Sequence, residues 1–397
     1  MEVKYQLLPT TSDFDIVKSF SYKSLSFYLI LLASFGCVEP FEPPALESGV
    51  SILAVDGTLN TDGISTIRLT RSENLADVTA IPVEKGAKVS FEDDNGKSYT
   101  LTEEGNGVYT LPAQNFDLTK QYRVVIRTIA AKEYASEFVP IIKNVPIDSV
   151  SWVITSNNGV QVYVSTHDFE NNTRYFRWAF DESWKYLAAY NSNYEWQGRT
   201  PALRKQNLYQ CYQNKPSGKI VIGSTTGLSQ NIISMRPIQY IEQHDERIRL
   251  KYSILVKQYG VTKEAYDYWL QLQQNTESLG TLFDPQPSQL TGNIKCSSDL
   301  SEPVLGFFSA GTTSEKRIFI SSDYLPRVRK YVTSFDNCSA DTLQVKNIPG
   351  MGNLSNVYLL DPLPSGPGTP TAYSYSSAAC ADCRSAGGTI APPPFWQ

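Results

Sequence analysis

The sequence predicts a mainly β protein, because its composition, its alternating apolar residues and its turn signals all favour strands. The 397 residues are 41% hydrophobic and 19% charged, and they are rich in Tyr, Thr, Val and Ser. Short alternating runs recur with turn signals at intervals of about ten residues. We therefore expect an N-terminal immunoglobulin-like β-sandwich over residues 48–145. A second, larger β-rich domain with one helix and a long insertion is expected over residues 146–397.

The first unit contains a strong hairpin signal at Asp94-Asn95-Gly96, which separates two alternating runs. Asn-Gly suits such a turn because both turn positions need positive φ. Side chains two residues apart on the paired strands point to the same face. The predicted buried face therefore consists of Val89, Phe91, Tyr99 and Leu101. Further strands are predicted at 52–59, 67–69, 108–111 and 122–126.

The acidic turn Glu92–Gly96 could also be considered as a calcium loop, because oxygen ligands cluster there. It lacks the spaced carboxylates and the distal Glu of a known calcium loop. We interpret it as a solvated hairpin tip.

The second unit is expected to follow a linker at Pro140–Pro146. Its strands are predicted at 149–154, 160–165, 175–184 and 248–256, and residues 304–309 are expected to pair with residues 317–322 across Gly311. One helix is predicted with Thr262 as its N-cap, because apolar residues follow it at helical spacing. These residues are Ala265, Tyr268, Trp269 and Leu272.

A polar segment between Lys185 and Pro216, with Tyr, Asn and Gln throughout, predicts a long excursion from the sheet. Aromatic side chains in such a segment can stack on sugar rings or fill a partner's pocket. They can also cover the core, where we expect Trp178. The candidate residues for ligand or partner binding are Tyr186, Tyr190, Tyr194 and Trp196.

The apolar run Ser24–Gly36 has the length of a signal-peptide h-region, since a spanning helix needs ~20 residues. Small residues precede Cys37, which favours a lipoprotein signal over residues 1–36 and lipidation of Cys37. The alternative is an ordinary signal peptide with Cys37 as an incidental thiol. Residues 37–47 are acidic and proline-rich, which predicts a stiff, solvated tether. Acidic residues before Lys18 are unusual for such a signal, and we expect translation to start later, for example at Val17.

Five further cysteines are candidates for disulfide bonds, which exported proteins can form: Cys211, Cys296, Cys338, Cys380 and Cys383. Their odd number leaves at least one thiol without a partner in the chain. We expect Cys211 to pair with Cys296, and Cys338 to pair with Cys380 or Cys383. The spacing Cys380-x-x-Cys383 also suits redox or zinc sites, but glycines and prolines follow it, and no second ligand pair is present. No metal and no cofactor are therefore predicted.

The sequence contains no recognisable catalytic constellation. Its two histidines, His167 and His244, have no ligand spacing, and the adjacent pair His167-Asp168 points to opposite faces of a strand. No nucleophile elbow and no phosphate-binding glycine loop occur. The net charge of −5 and the scattered basic residues argue against nucleic-acid binding. We expect no enzyme and no catalytic residue, although converging carboxylates would allow a glycosidase.

Several short motifs resemble the domain-of-unknown-function family numbered 4249. They are Cys37-Val-Glu-Pro-Phe, Tyr266-Asp-Tyr-Trp, Gly292-Asn-Ile, Val304-Leu-Gly-Phe-Phe and Cys380-Ala-Asp-Cys-Arg with Phe395-Trp396. The resemblance covers nearly all of the chain after the signal segment. It implies an outer-membrane lipoprotein of the kind that accompanies TonB-dependent receptors. It assigns no catalytic residue.

The sequence and the resemblance together predict a lipid-anchored outer-membrane protein at the cell surface. We expect it to serve a TonB-dependent nutrient-uptake receptor as a non-catalytic accessory subunit that binds the receptor, an oligosaccharide or peptide ligand, or both. The alternatives are a surface hydrolase of glycans or peptides, which needs converging carboxylates, and a purely structural envelope or adhesin module.

Overall fold

The computed structural model describes residues 51–72, 81–171, 173–277, 290–327, 330–350, 352–364 and 368–396. All of them belong to one unit that begins at Ser51. The predicted signal peptide, Cys37 and the tether lie outside the described residues. Among the helices of the described ranges, none has the length and apolar character needed to cross a membrane.

The chain is mainly β, and its first part consists of short strands. In chain order they are β1 (Leu53–Asn60), β2 (Ser65–Arg71), β3 (Lys88–Asp93), β4 (Ser98–Thr100), β5 (Thr102–Gly105), β6 (Val108–Leu111), β7 (Gln121–Arg127), β8 (Glu133–Ser136) and β9 (Val139–Ile142).

The remaining strands include the longest ones of the described chain. They are β10 (Ile147–Ile154), β11 (Val160–His167), β12 (Tyr175–Leu187), β13 (Tyr194–Gln197), β14 (Thr200–Leu203), β15 (Gln210–Pro216), β16 (Val221–Ser224), β17 (Ile232–Ile241), β18 (Lys251–Gly260), β19 (Ile294–Cys296), β20 (Val304–Gly306), β21 (Ser309–Gly311), β22 (Thr313–Ser321), β23 (Asp341–Gln344), β24 (Tyr358–Leu363) and β25 (Ala372–Ser376). The α-helices are α1 (Lys263–Glu277) and α2 (Ala378–Ala381), and 3-10 turns occur at Glu246–Ile248, Ser322–Tyr324, Val345–Gly350 and Cys383–Ala386.

The first sandwich is built from two layers around one apolar core. One layer contains β1, β2, β5 and β6, the other contains β3, β4, β7 and β8, and β9 pairs with strands of both. The predicted hairpin β3–β4 is present, and Val89, Phe91 and Leu101 are buried as expected, with Tyr99 packed against the same core. Alternation of apolar residues therefore predicted this part of the fold correctly.

The acidic turn forms the tip of the β3–β4 hairpin, but its middle carboxylate is not solvated. Asp93 is 2% exposed. Its carboxylate accepts the backbone N–H of Asn95 at 3.0 Å and of Lys97 at 2.8 Å, and it pairs with Lys120 Nζ at 2.8 Å. The protein itself satisfies this carboxylate, which accounts for the acidic composition without calcium.

Three strands from much later in the chain complete the first sandwich. β20 and β21 run parallel to β1, and β19 pairs with β8. The close approach requires glycine, because a Cβ at Gly306 would lie 2.2 Å from the carbonyl oxygen of Val55. The amide of Asn293 donates to the Phe308 carbonyl at 2.9 Å and accepts the Phe308 N–H at 2.8 Å. The division between residues 145 and 146 therefore leaves out a part of this sandwich.

The predicted pairing of residues 304–309 with residues 317–322 is wrong. Both segments find other partners: β20 and β21 extend the β1 layer, whereas β22 pairs antiparallel with β18 along its whole length. Sequence proximity suggested a hairpin, but the chain crosses between the two sandwiches at this point.

The second sandwich packs the sheet β10–β11–β17 against the sheet β15–β12–β18–β22, with β16 also paired to β12. The alternation on β12 holds as predicted, since Phe176, Trp178 and Phe180 are each 1% exposed. β12 continues to Leu187 and β15 pairs back with it, so the excursion covers residues 188–209 and is shorter than predicted. β18 begins at Lys251, because residues 246–248 form a 3-10 turn.

Helix α1 starts where the capping pattern places it. Thr262 Oγ1 accepts the backbone N–H of Ala265 at 3.2 Å, which satisfies one of the free donors of the first turn. Ala265 and Tyr268 form the buried face of the helix, together with Phe307 from the strand segment that returns to the first sandwich.

The predicted linker at Pro140–Pro146 is partly a strand, β9, and the rest is fixed by buried amides. Gln258 is fully buried, and its Nε2 lies 2.8 Å from the Val145 carbonyl, 3.2 Å from Thr166 Oγ1 and 3.3 Å from Asn144 Oδ1. Its Oε1 accepts the indole N–H of Trp178 at 2.9 Å. These contacts hold the linker against the second sandwich.

The C-terminal strands β23, β24 and β25 form a small sheet with β13 and β14 of the excursion, in the order β14–β13–β24–β25–β23. Two disulfides tie the C-terminal part to the body. Cys338 pairs with Cys380, as one of the two expected options, and Cys211 pairs with Cys383. The predicted pair Cys211–Cys296 is wrong: Cys296 is a buried free thiol on β19 in the first sandwich, whereas Cys211 lies on β15 in the second. Cys380 lies in the short helix α2, although no helix was expected there.

We predict that Gln258→Leu lowers the free energy of unfolding by about 2–4 kcal/mol, because it leaves buried partners such as the Trp178 indole N–H without a hydrogen bond. Urea denaturation measures this loss. The matched control is Gln197→Leu at an exposed position of β13, where we expect a change within about 0.5 kcal/mol. Equal effects of the two substitutions would contradict the role assigned to Gln258.

Candidate functional site

Tyr186 is a packing residue, which corrects its prediction as a ligand contact. Its side chain is 2% exposed, and its ring lies 6.4 Å from that of Phe335 in a stacked arrangement. The hydroxyl donates to the Cys383 carbonyl at 2.8 Å and accepts the Gly388 N–H at 3.0 Å. Tyr186 thus anchors the C-terminal tail.

The other three predicted aromatic residues are half-buried and engaged in the small sheet. The Tyr190 hydroxyl donates to the Cys338 carbonyl at 3.3 Å, and the Tyr194 ring meets that of Tyr373 edge-on at 5.4 Å. Trp196 Nε1 donates to the Val357 carbonyl at 2.8 Å. These bonds favour an internal packing role for Tyr190 and Tyr194.

Trp196 also lines a cavity of about 580 Å³, shared with Glu195, Arg199, Arg204 and Tyr358. The guanidinium of Arg204 is already used by the protein, since it donates to Ser192 Oγ at 3.2 Å and to the Tyr194 carbonyl at 3.1 Å. The cavity therefore has an aromatic wall but offers fewer free polar groups than its composition suggests.

A larger cleft, of about 800 Å³, opens at the end of the second sandwich. We call it the carboxylate cleft. Its walls come from the end of β12, residues 215–218, residues 242–247 and residues 332–334. The polar and aromatic side chains that line it include Glu182, Trp184, Lys215, Glu242, His244, Asp245, Glu246 and Arg247.

Glu182 and Arg247 form the buried base of the carboxylate cleft. Arg247 Nη1 donates to Glu182 Oε1 at 2.7 Å, and Arg247 also binds Asp245 through Nη2 at 2.6 Å. The hydroxyl of Tyr252 donates to the same Glu182 oxygen at 2.7 Å. Burial disfavours the charged Arg247, but the bonds to Asp245 and the charge of Glu182 outweigh it, so its pKa is raised. This network fixes the charged groups in place through direct contacts within the protein.

Glu246 is the carboxyl group in the cleft with the strongest perturbation. Burial raises the pKa of Glu246 to about 7 from its ordinary 4.5, although the charge of Arg249 and the Ser334 N–H act in the opposite direction. Its Oε1 is buried and has no hydrogen-bond partner among the described residues. A carboxyl group of this kind holds a proton near neutral pH and can donate it or form a hydrogen bond with a ligand.

Residues 332–334, in the C-terminal part of the chain, supply one wall of the carboxylate cleft. The Val332 N–H donates to the His244 carbonyl at 2.8 Å, which places residues 332–334 beside the 242–247 segment. Phe335 then enters the cluster around Tyr186, and the Cys338–Cys380 disulfide follows. The disulfide therefore helps to hold this wall in place.

The two histidines occupy different environments. His244 is exposed at the cleft, and its Nδ1 lies 2.9 Å from the Lys330 carbonyl, so that nitrogen carries the proton. His167 Nδ1 lies 2.7 Å from Asp148 Oδ2, whereas the adjacent Asp168 is buried and accepts backbone N–H groups. Across the described ranges, no group of three His, Cys, Asp or Glu residues is arranged to hold a metal ion.

Sequence reasoning missed the carboxylate cleft, although two signals pointed to it. Glu182 lies on the same strand face as Phe176, Trp178 and Phe180, and an acidic residue on an apolar face needs a buried partner. The second signal is the polar run 242–246, in which His244 is exposed whereas Asp245 and Glu246 are half-buried.

The comparisons with known proteins identify a family and distant structural likenesses. A family model described as a domain of unknown function, DUF4249, matches residues 38–317 and ends before the C-terminal cysteine motif. No curated protein matches the chain.

Three solved structures illustrate the structural likenesses. A two-domain fibronectin type III segment of chicken tenascin has 10% identity, a TM-score of 0.16 and coverage of 53% of this chain and 91% of its own. The FN1–FN3 domains of chicken CNTN1 have 15% identity, a TM-score of 0.19 and coverage of 54% and 64%. The adhesin InvE of Yersinia pseudotuberculosis has 11% identity, a TM-score of 0.17 and coverage of 82% and 73%. Likenesses this distant carry no argument about function.

We predict that the Glu246 carboxyl group titrates with a midpoint of about 7, which a carboxyl-carbon NMR titration measures against the Glu246→Gln variant. Because its pKa is raised in the folded state, Glu246 favours folding when protonated, below about 4.5, and this contribution is lost as the pH rises through about 7. The free energy of unfolding of Glu246→Gln, relative to that of the unsubstituted protein, should therefore increase as the pH rises from about 4.5 to about 7. A midpoint near 4.5, or a stability difference independent of pH, would contradict this environment.

Proposed function

Because the chain belongs to the DUF4249 family, a family described only as a domain of unknown function, we propose its role from its own residues. We propose a cell-surface lipoprotein, anchored in the outer membrane through Cys37, that captures an oligosaccharide or peptide as an accessory subunit of a TonB-dependent receptor. Its action is non-covalent binding.

The carboxylate cleft is the observation that carries the proposal. It combines the half-buried ring of Trp184 with carboxylates, a lysine and a fixed arginine in about 800 Å³. Sugar recognition needs an aromatic face for the ring and several hydrogen-bonding groups for the hydroxyls, and ligand sites of this size usually bind small molecules. With Glu182, Glu242, Asp245 and Glu246 against Lys215 and Arg247, the cleft suits a neutral or cationic ligand better than an anionic one.

Two further observations support export to an oxidising compartment. The disulfides Cys211–Cys383 and Cys338–Cys380 are typical of exported proteins. The apolar run before Cys37 and the acidic stretch after it have the pattern of a lipoprotein signal and tether. Together they favour a binding protein held at a distance from the membrane.

A second candidate function, hydrolysis of glycans, is favoured by Glu246. A glycosidase needs one carboxylic acid with a raised pKa beside a second carboxylate that stays ionised. Glu246 has the first property, and Glu182 and Asp245 line the same cleft. This candidate shares the cleft with the binding proposal and differs from it in one outcome, cleavage of the ligand.

We predict that affinity purification of the full chain under mild detergent recovers a TonB-dependent β-barrel receptor. The matched control is Cys37→Ser, which should lose membrane association and with it most of the recovered receptor. Recovery of the anchored protein without any β-barrel receptor would count against the accessory role.

We predict that Trp184→Leu weakens oligosaccharide binding at least tenfold, or about 1.4 kcal/mol, because the ring face for stacking is lost. Screening on an oligosaccharide panel, followed by calorimetry on the strongest binder, measures the change. Trp196→Leu is the matched control, because Trp196 lines the other cavity, and its binding should remain unchanged. An equal loss in both variants would contradict the assignment, and shorter products that disappear in Glu246→Gln would favour the hydrolase.

A further inference from the structure

A second cavity, of about 450 Å³, lies beneath helix α1 and differs in character from the carboxylate cleft. We call it the helix cavity. Strands β1 and β2 of the first sandwich, strand β12 of the second, residues 217–220 and α1 all contribute to its walls. It therefore lies where both sandwiches and the helix meet.

The walls of the helix cavity are mainly apolar. Each of the following side chains is only half-buried, so each leaves apolar surface facing the cavity: Ile220, Trp269, Leu272, Leu290 and Leu305. These residues come from separate segments, and their convergence on one concavity creates a site that an apolar ligand body can fill.

A guanidinium that forms no hydrogen bond with the described residues lies at the wall of this cavity. The Arg177 side chain is 17% exposed and stacks on Trp269, with 3.9 Å from its Cζ to the ring centroid. Its one ion-pair contact within the described residues is Asp56, at a distance of 4.0 Å, and it donates no hydrogen bond to any of them. A guanidinium has five N–H donors in a fork that matches a carboxylate, and mostly buried donors are normally satisfied.

The charge around the cavity has the same sign as Arg177. Arg68 and Lys219 line it and are exposed, and neither forms an ion pair with a described residue. Asp56 is the opposing carboxylate, and its side chain is 65% exposed to water. Three cationic groups against one screened carboxylate favour an anionic ligand.

We propose that the helix cavity binds a small amphipathic carboxylate, with its apolar body on Trp269 and Leu272 and its carboxylate on Arg177. The stacking on Trp269 holds the guanidinium in a fixed position, which reduces the ordering cost of a bidentate contact. This site differs from the carboxylate cleft, whose charge has the opposite sign, although residues 217–218 line both.

Calorimetry with three twelve-carbon probes tests this proposal: dodecanoate and dodecyltrimethylammonium below their micelle concentrations, and dodecanol below its solubility limit. The protein is the full chain with Cys37→Ser, so that neither lipid nor detergent competes. We expect dodecanoate to bind at least tenfold more tightly than dodecyltrimethylammonium, with dodecanol between them. Absence of dodecanoate binding, or equal affinities for the three probes, would overturn the proposal.

Two substitutions with opposite expected effects on affinity show where the carboxylate of dodecanoate binds. Arg177→Gln should weaken dodecanoate binding at least tenfold without affecting dodecanol. Asp56→Asn should tighten it about fivefold, because it removes a carboxylate that lies 4.0 Å from the Arg177 guanidinium and repels the probe's carboxylate. Asp56 is exposed, so its variant keeps the test valid if Arg177→Gln unfolds. An unchanged dodecanoate affinity in Asp56→Asn and in a folded Arg177→Gln would show that the carboxylate does not bind at Arg177.

Discussion

The buried amide of Gln258 is the contact that fixes the linker between the two sandwiches against the second one. It joins the linker at Asn144 and Val145 to Thr166 on β11 and to the indole of Trp178 on β12. The chain crosses between the sandwiches more than once, and the crossings at Asn144 and Thr312 are bonded to each other, since the Asn144 N–H donates to Thr312 Oγ1 at 2.8 Å. A double, hydrogen-bonded crossing resists the hinge motion that a single flexible linker would allow. The helix cavity needs this rigidity, because both sandwiches contribute to its walls.

The carboxylate cleft depends on contacts between segments that are far apart in the chain. Its base is on β12 and in the 242–247 segment, whereas one wall belongs to the C-terminal tail. The Cys338–Cys380 bond closes a loop over a separation of 42 residues, which stabilises by about 4 kcal/mol in the chain-entropy model. Formation of this disulfide therefore secures the cleft as well as the tail. This connects the compartment expected from Cys37 with the site that carries the proposed function.

The alternation of apolar and polar residues along the sequence predicted much of the fold, because a strand that buries one face has apolar residues at every second position. The β3–β4 hairpin and the apolar face of β12 followed from this alternation. The cap at Thr262 followed from the helical spacing of the apolar residues after it. The return of residues 294–311 to the first sandwich did not follow, because strand pairing over such a distance leaves no local pattern. The disulfide connectivity could not be predicted either, because the spacing of cysteines in the sequence does not determine which of them pair. The prediction for the excursion gave weight to its aromatic residues, whereas the structure uses Tyr186 and Tyr194 for packing.

Two buried polar residues interrupt the pattern that predicted the fold. Glu182 on β12 and Gln258 on β18 are both polar residues on faces that are otherwise apolar. Each forms hydrogen bonds with buried partners that the sequence alone does not reveal. Glu182 lies at the base of the carboxylate cleft, and Gln258 holds the linker. A polar residue on an apolar strand face is therefore the most useful signal that the sequence contained.

We propose above all that ligand capture takes place in the carboxylate cleft. A crystal structure of the chain with its tightest-binding oligosaccharide tests it most directly. We expect a sugar ring against Trp184, with hydroxyl groups within hydrogen-bond distance of Glu246 and Lys215. Sugar density in the cavity lined by Trp196, or a carboxylate cleft that stays empty while the oligosaccharide binds elsewhere, would contradict the claim.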